Sequence, residues 1–316
     1  MASAAGRLPA RDAPVRPRTT YDVPLASGAM LHLGARTLVM GVVNVTPDSF
    51  SGDGRVETDA AVAEGLAQVD AGADLLDVGG ESTRPGAAPT DAETERRRIQ
   101  PVVEALAHRI DVPIAVDTYK TVVARAALEH GASLVNDVSG LRYDPALAAE
   151  TAAQRAALIV SHTRGRSRDM YERAEYHAVA DEIVSELEWS LASAGAAGVP
   201  RDQVIVDPGL GFAKRAEHSL AVLGQLERFQ VLDRPILVGP SRKSFLNAAL
   251  GDVEPNAREW GTAGAVAASV FLGAHVVRVH GVRAMLDVVR VVDAIRAHRG
   301  RFVSDVGDGS RTVPAS

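Results

Sequence analysis

From Thr37 onward the chain alternates short apolar runs with longer amphipathic stretches. The runs are Leu38–Val45, Leu75–Val78, Ile114–Val116, Leu134–Val135, Leu158–Val160, Val204–Val206, Ile236–Val238 and Val276–Val279. Each reads as continuous rather than alternating, as expected for strands buried on both faces. Helix-period stretches separate them. In the first, Val62, Leu66 and Val69 share a face, Thr58 or Asp59 caps the start, and Gly72 ends it. In the last, Met285, Val289 and Val292 form a similar stripe. Eight strand–helix repeats predict an α/β fold, a TIM (β/α)₈ barrel over residues 37–298, with an open doubly wound sheet as the alternative. Ahead of the barrel, residues 21–36 read as a short N-terminal extension, a hairpin turning at Ser27-Gly28 before Met30-Leu31-His32-Leu33. Residues 1–20, rich in Ala, Arg and Pro, and the polar stretch 301–316 read as mobile tails.

Composition narrows the functional classes. Of 316 residues 46% are hydrophobic but only 4% aromatic, so the core is built of Val, Leu and Ala. A net charge of −6 gives no sequence-wide basic field for nucleic acid, and anionic ligands must be met by local Arg and Lys. With no cysteine, disulfides, thiolate catalysis and Cys-ligated zinc are excluded. No apolar run reaches the roughly 20 residues of a membrane span or resembles a signal peptide, so a soluble cytoplasmic protein is expected.

Polar residues recur where the apolar runs end: Asn44, the segment Glu81–Gly86, Asp117, Asn136, His162, Asp207, Ser241–Lys243, and Arg278 with His280. In a barrel the carboxyl ends of all strands meet at one face, where active sites are built. A single Asp or Asn at such a place is as readily an N-cap of the next helix, and a lone histidine is commonly structural. Eight polar ends in register are harder to explain that way. Arg278 and His280 alternate along the last strand and so point to one side.

Longer motifs carry a resemblance. G-V-V-N-V-T-P-D-S-F-S (Gly41–Ser51), D-V-G-G-E-S-T-R-P-G (Asp77–Gly86), V-D-T-Y-K (Val116–Lys120), N-D-V-S-G (Asn136–Gly140), D-P-G-L-G-F-A-K (Asp207–Lys214), S-R-K-S-F-L (Ser241–Leu246) and R-V-H (Arg278–His280) occur in that order. Together they resemble the dihydropteroate synthases, pterin-binding enzymes of folate biosynthesis, over roughly residues 38–298. The resemblance implies a transferase that joins 6-hydroxymethyl-7,8-dihydropterin pyrophosphate to p-aminobenzoate, giving 7,8-dihydropteroate and pyrophosphate. It implies a pterin pocket of Asp117, Asn136, Asp207 and Lys243, which suits a bicycle with a donor edge beside a carbonyl. It gives the pyrophosphate to Arg278 and His280, with Asn44 ligating a Mg²⁺ ion bound alongside. Thr83 and Arg84, with Ser241 and Phe212, are implied for p-aminobenzoate.

The implied reaction breaks the C–O bond at the pterin methylene largely before the amine attacks, so no protein nucleophile is needed. Asp117, and more weakly Asp48 in the first loop, are the candidates for stabilising the cationic pterin, while Arg278 and His280 meet the leaving group. The loops Thr46–Arg55 and Ser82–Gly86 are expected to close over substrate. The family also implies a homodimer, for which the small-residue stretch Gly261–Gly273 offers a contact, and competition between sulfonamides and p-aminobenzoate.

One departure stands out. Where the family commonly has Met-His and a Gly-Pro loop, this chain reads Ser161-His162-Thr163-Arg164-Gly165-Arg166-Ser167. The usual Met packs on the pterin, and Met170 is the only nearby side chain that offers to replace it. Two other readings share much of this pattern: a non-catalytic pterin-binding paralogue, hinted at by Ser161, and a pterin-dependent methyltransferase. The second needs no pyrophosphate site, against which S-R-K-S, R-V-H and S-T-R-P-G all argue.

Overall fold

The structure is a computed structural model that describes residues 18–45, 54–84 and 86–304. Asp48, most of the first loop and most of both expected tails lie outside the described residues.

Eight parallel strands form the sheet: β3 (Leu38–Asn44), β4 (Leu75–Gly79), β5 (Ile114–Asp117), β6 (Leu134–Asp137), β7 (Ala157–Ser161), β8 (Val204–Asp207), β9 (Leu237–Val238) and β10 (Val276–Val279). Their order is β8-β7-β6-β5-β4-β3-β10-β9. The ends of this row meet in a parallel bridge between Val206 and Ile236, with the Val206 amide donating to Pro235 O at 3.0 Å. That contact makes the sheet a ring and removes the open-sheet alternative. Just before β9, the Ile236 amide donates to His275 Nδ1 at 3.0 Å.

Helices pack outside the ring: α1 (Gly54–Asp70), α2 (Ala92–Ala107), α3 (Thr121–Glu129), α4 (Leu147–Ala153), α5 (Val179–Ala196), α6 (Ala216–Gly224), α7 (Asn247–Leu250), α8 (Glu259–Phe271) and α9 (Val282–Ser304). The expected cap at Thr58 or Asp59 is not where α1 begins, since the helix already runs from Gly54. Its end is as expected. Gly72 has φ +100°, and a Cβ there would stand 2.7 Å from Leu286 Cδ2. The stripe Met285, Val289 and Val292 of α9 is buried against the barrel.

What positions the site is the two-residue alternation inside the ring. Leu38, Met40, Leu75, Ala115, Leu134, Ala157, Ile159, Ile205, Leu237 and Val276 form one inner core. Two residues further along those strands the inward positions turn polar: Asp77, Asp117, Asn136, Ser161, Asp207 and Arg278. The apolar layer is closed from below by the antiparallel hairpin β1 (Tyr21–Pro24) and β2 (Met30–Leu33), whose Val23, Leu25, Leu31 and Leu33 join the same core. Gln203 Nε2 ties the hairpin to the barrel through Pro24 O at 3.1 Å. Just before it, Arg18 pairs with Asp293 of α9 at 2.8 Å.

The hairpin therefore acts as a plug. Leu33→Ala should cost about 2–5 kcal/mol, the usual range for truncating a buried leucine. Urea denaturation followed by circular dichroism checks this. A midpoint matching the unaltered chain would mean the plug adds nothing to barrel stability.

Candidate active site

The centre of the mouth is an ion-paired cluster. Arg278 Nε donates to Asp77 Oδ2 at 2.5 Å, and its Nη2 donates to Asp117 Oδ2 at 2.7 Å. Asn136 Nδ2 donates to the same Asp77 Oδ2 at 2.9 Å. Asp117 and Asn136 are thus not helix caps. The N-cap of α3 is Lys120, which has no side-chain capping bond. Burial and then the adjacent Asp77 push the Asp117 carboxyl up to about 7, against the pull of Arg278. Arg278 stands among carboxylates here, in the middle of the polar layer.

On the neighbouring wall, Asp207 Oδ1 accepts the Gly209 amide at 2.8 Å and Oδ2 accepts the Ser161 hydroxyl at 3.3 Å. Burial raises the Asp207 pKa, and the charge of Lys243 works against that rise. Lys243 lies 4.2 Å from the centre of the Phe212 ring and bonds to Leu210 O; burial brings its pKa down to about 8. Met170 is buried with its sulfur 3.3 Å from the Ala213 amide, and it shares a cavity wall with Phe212.

That loop is clamped by a second polar network. Lys214 Nζ, fully enclosed, donates to His162 Nδ1 at 2.8 Å and to the carbonyls of Gly209 and Phe212, each at 3.0 Å. The opposite ring nitrogen of His162, then protonated, donates to Glu186 Oε2 at 3.1 Å. Burial and then Lys214 hold His162 near a pKa of about 3, so the ring is neutral. Burial opposes ionisation of Glu186, but bonds from His162 and Arg164 prevail and hold it at about 2. Gly209 is obligatory, because a Cβ there would lie 2.0 Å from His162 O.

Beside Arg278 lies a cationic hollow. The His280 amide donates to Ser241 Oγ at 3.2 Å, and Ser241 Oγ stands 2.9 Å from His280 Nδ1. In the tautomer where the hydroxyl donates to Nδ1, Nε2–H is the outward donor. Burial, then Arg278, Arg242, Arg84 and Lys243, drives the His280 pKa down to about 3. Four cations are felt at this one ring. Asn44, at the end of β3, offers a neutral amide oxygen, and among the described residues no three His, Asp, Glu or Cys side chains converge on a metal position. That donor set fits an ion that brings most of its oxygen ligands with it rather than a resident metal.

A cavity of about 190 Å³ opens next to the polar layer, lined among others by Thr83, Tyr119, Tyr143, Arg166, Met170 and Phe212. Thr83 and Phe212 were expected to share a subsite, and the structure brings them together. Arg84 is not among the lining residues, and its charge is felt instead at His280. Sequence reasoning missed Asp77 and Lys214, although a signal existed for both: an Asp inside the run L-L-D-V-G, and a Lys closing D-P-G-L-G-F-A-K.

Comparison with known proteins agrees with this geometry. The family described as pterin binding enzyme matches residues 40–280. The dihydropteroate synthase of Synechocystis is 40% identical over 277 residues, covering 87% of this chain and 96% of that protein. The Mycobacterium leprae dihydropteroate synthase is 45% identical over 263 residues, covering 81% and 92%. Among solved structures, the Xanthomonas albilineans dihydropteroate synthase with 4-aminobenzoic acid superposes with a TM-score of 0.81 at 38% identity, covering 88% of this chain and 99% of that one. With eight strands closed around a mouth of paired carboxylates and cations, and with matches of this length, the chain belongs to the pterin-binding enzyme family, among its dihydropteroate synthases.

Proposed function

We propose that this chain condenses 6-hydroxymethyl-7,8-dihydropterin pyrophosphate with p-aminobenzoate, releasing pyrophosphate and 7,8-dihydropteroate. The observation that carries the reading is the adjacency of two opposite environments: a carboxylate-rich layer at Asp77, Asp117 and Asp207, and a hollow around His280 that feels four cations. A substrate with a donor-edged, cation-forming ring at one end and a polyanion at the other matches both.

In this reading Asp207 and the amide oxygen of Asn136 accept from the pterin donor edge, and Lys243 donates to its carbonyl side. Cleavage of the methylene C–O bond sends the electron pair out with pyrophosphate and leaves a delocalised pterin cation. Asp117, ionised, faces that cation and stabilises it electrostatically. The arylamine nitrogen then bonds to the methylene and gives up its proton to water. His280 Nε2–H, Ser241 and Arg278 receive the pyrophosphate. We assign Arg84 to the same end, where its field is felt, rather than to p-aminobenzoate as the family resemblance alone implied. Mg²⁺ carried in with the pyrophosphate would neutralise its developing charge, with Asn44 supplying one oxygen. Asp48 is kept as a secondary candidate in the first loop. The exposed Trp260 of α8, with Val291 and Ile295 one turn apart on α9, supports a second copy as the partner that completes a homodimer.

Purified protein given the pterin pyrophosphate and Mg²⁺ should release pyrophosphate only in step with dihydropteroate when p-aminobenzoate is added. Binding of the pterin by calorimetry without release would favour the non-catalytic paralogue. Methyl transfer to a corrinoid would favour the methyltransferase. The Asp117 carboxyl also sets a pH dependence. A carboxyl raised to about 7 is ionised only above that pH, so kcat/KM for the pterin pyrophosphate should fall as pH drops through 7. Asp77→Asn removes the like charge that helps raise it and should move this acid limb to lower pH. An acid limb that stays in place would separate Asp77 from the titration of Asp117.

A further inference from the structure

The chain has only three lysines, Lys120, Lys214 and Lys243, and each follows a strand at the barrel mouth. Side-chain amine chemistry is therefore confined to this one face. Two of the three are committed. Burial works against the charge of Lys120, but bonds from Glu81 and Glu95 prevail and raise its pKa. Lys214 is enclosed and donates to His162 Nδ1 at 2.8 Å and to the carbonyls of Gly209 and Phe212. Lys243 differs. It is only half-buried, its Nζ bonds to Leu210 O, and among the described residues no carboxylate forms an ion pair with it. With its pKa brought down to about 8 by burial, a share of this amine is unprotonated near neutral pH and can act as a nucleophile.

Beside this amine lies a surface suited to an anion. A Cβ on Gly239 would stand 3.9 Å from Lys243 Nζ and 3.9 Å from Arg278 Cδ, so the glycine leaves both cations flanking one patch of bare backbone. Arg278 leads on to the hollow of Ser241 and His280, where the charges of Arg242 and Arg84 are also felt. From the carboxylate layer, Asp207 and Asp117 act on Lys243 and favour a positive charge at its nitrogen.

We infer that Lys243 is a covalent capture site for small aldehydes that carry a phosphate. The phosphate is held in the hollow by Arg278, Ser241 and His280, which brings the carbonyl carbon to Nζ. The amine lone pair bonds to that carbon. The carbonyl oxygen leaves as water, with one proton from the nitrogen and one from solvent, and a protonated imine remains. Its positive charge takes the place of the ammonium before Asp207 and Asp117, so the layer keeps its balance. No oxidant or reductant takes part, and hydrolysis returns the free amine. Capture occupies both the amine proposed to meet the pterin and the hollow proposed for pyrophosphate, so it is a reversible inhibition.

The test incubates the full chain with pyridoxal 5′-phosphate, reduces it with borohydride and maps the adducts by mass spectrometry after digestion. A side-chain adduct is expected on Lys243 alone, preceded by an imine absorbance that borohydride removes. Inorganic pyrophosphate should slow the labelling about tenfold, as should replacing the probe with 5-deoxypyridoxal, the same aldehyde without its phosphate, since each removes a charge-assisted contact. Lys243→Arg should leave every lysine unlabelled. Label on Lys120 or Lys214, or on the N-terminal amine only, overturns the inference. Equal labelling by the two aldehydes also overturns it, because the hollow would then play no part. The readout is a mass, so these outcomes stand whether or not the chain makes dihydropteroate.

Discussion

A guanidinium inside a barrel is the constraint around which this mouth is organised. Arg278 points inward from β10 because the two-residue alternation that buries Val276 below it leaves no other direction. A charge in that position is tolerable only if paired, and breaking a buried pair typically costs about 3–5 kcal/mol. Asp77 and Asp117, reached across the ring from β4 and β5, provide the pairing. The balance is not neutral. Three carboxylates (Asp77, Asp117 and Asp207) share the layer with two cations, Arg278 and Lys243. Burial and then Asp77 raise Asp117 to about 7, while burial brings Lys243 down to about 8 against the pull of Asp207. A site with spare negative charge prefers a ligand that becomes positive as it reacts. The same imbalance that is awkward for folding is therefore useful for ionising a pterin methylene.

Precision at the rim comes from a different device. The Phe212 loop follows β8 without regular structure, and Gly209, Gly211 and Ala213 all have positive φ. Such a segment would be free to move on its own. Lys214 reaches back beneath it, binds two of its carbonyls and takes the ring of His162, which Glu186 anchors from α5. Tyr176 adds a bond to Ala213 O at 2.9 Å and receives the Arg164 guanidinium over its ring at 4.0 Å. An ordering cost that substrate would otherwise bear on binding is met during folding.

The strands were legible because burial on both faces writes itself as a continuous rather than alternating apolar run, and all eight stand where those runs do. Ring closure was a matter of counting; the single bridge at Val206 and Ile236 that achieves it has no sequence signature. The start of α1 was misread because Thr58 and Asp59 look like caps, although the helix runs through both. In the site, Asp117, Asn136 and Asp207 were readable as polar residues ending apolar runs. Asp77 left a signal, a carboxylate inside an apolar run, but its partner Arg278 lies some 200 residues away in the chain and could not be read from it.

Ser161 shows how a departure from a family pattern can be absorbed. A thioether there would offer the pterin a polarisable face and nothing to Asp207. The serine hydroxyl offers less surface but donates to Asp207 Oδ2, the oxygen that the Gly209 amide does not serve. Burial pushes Asp207 toward its neutral form, and a donor on the carboxylate pushes the other way. The exchange trades contact area for stabilisation of the Asp207 charge, the group proposed to read the donor edge of the ring. Met170 meets the Ala213 amide instead of Asp207. On this argument Ser161 belongs to the binding machinery as an orienting donor, and its presence does not by itself speak for a protein that has lost its chemistry.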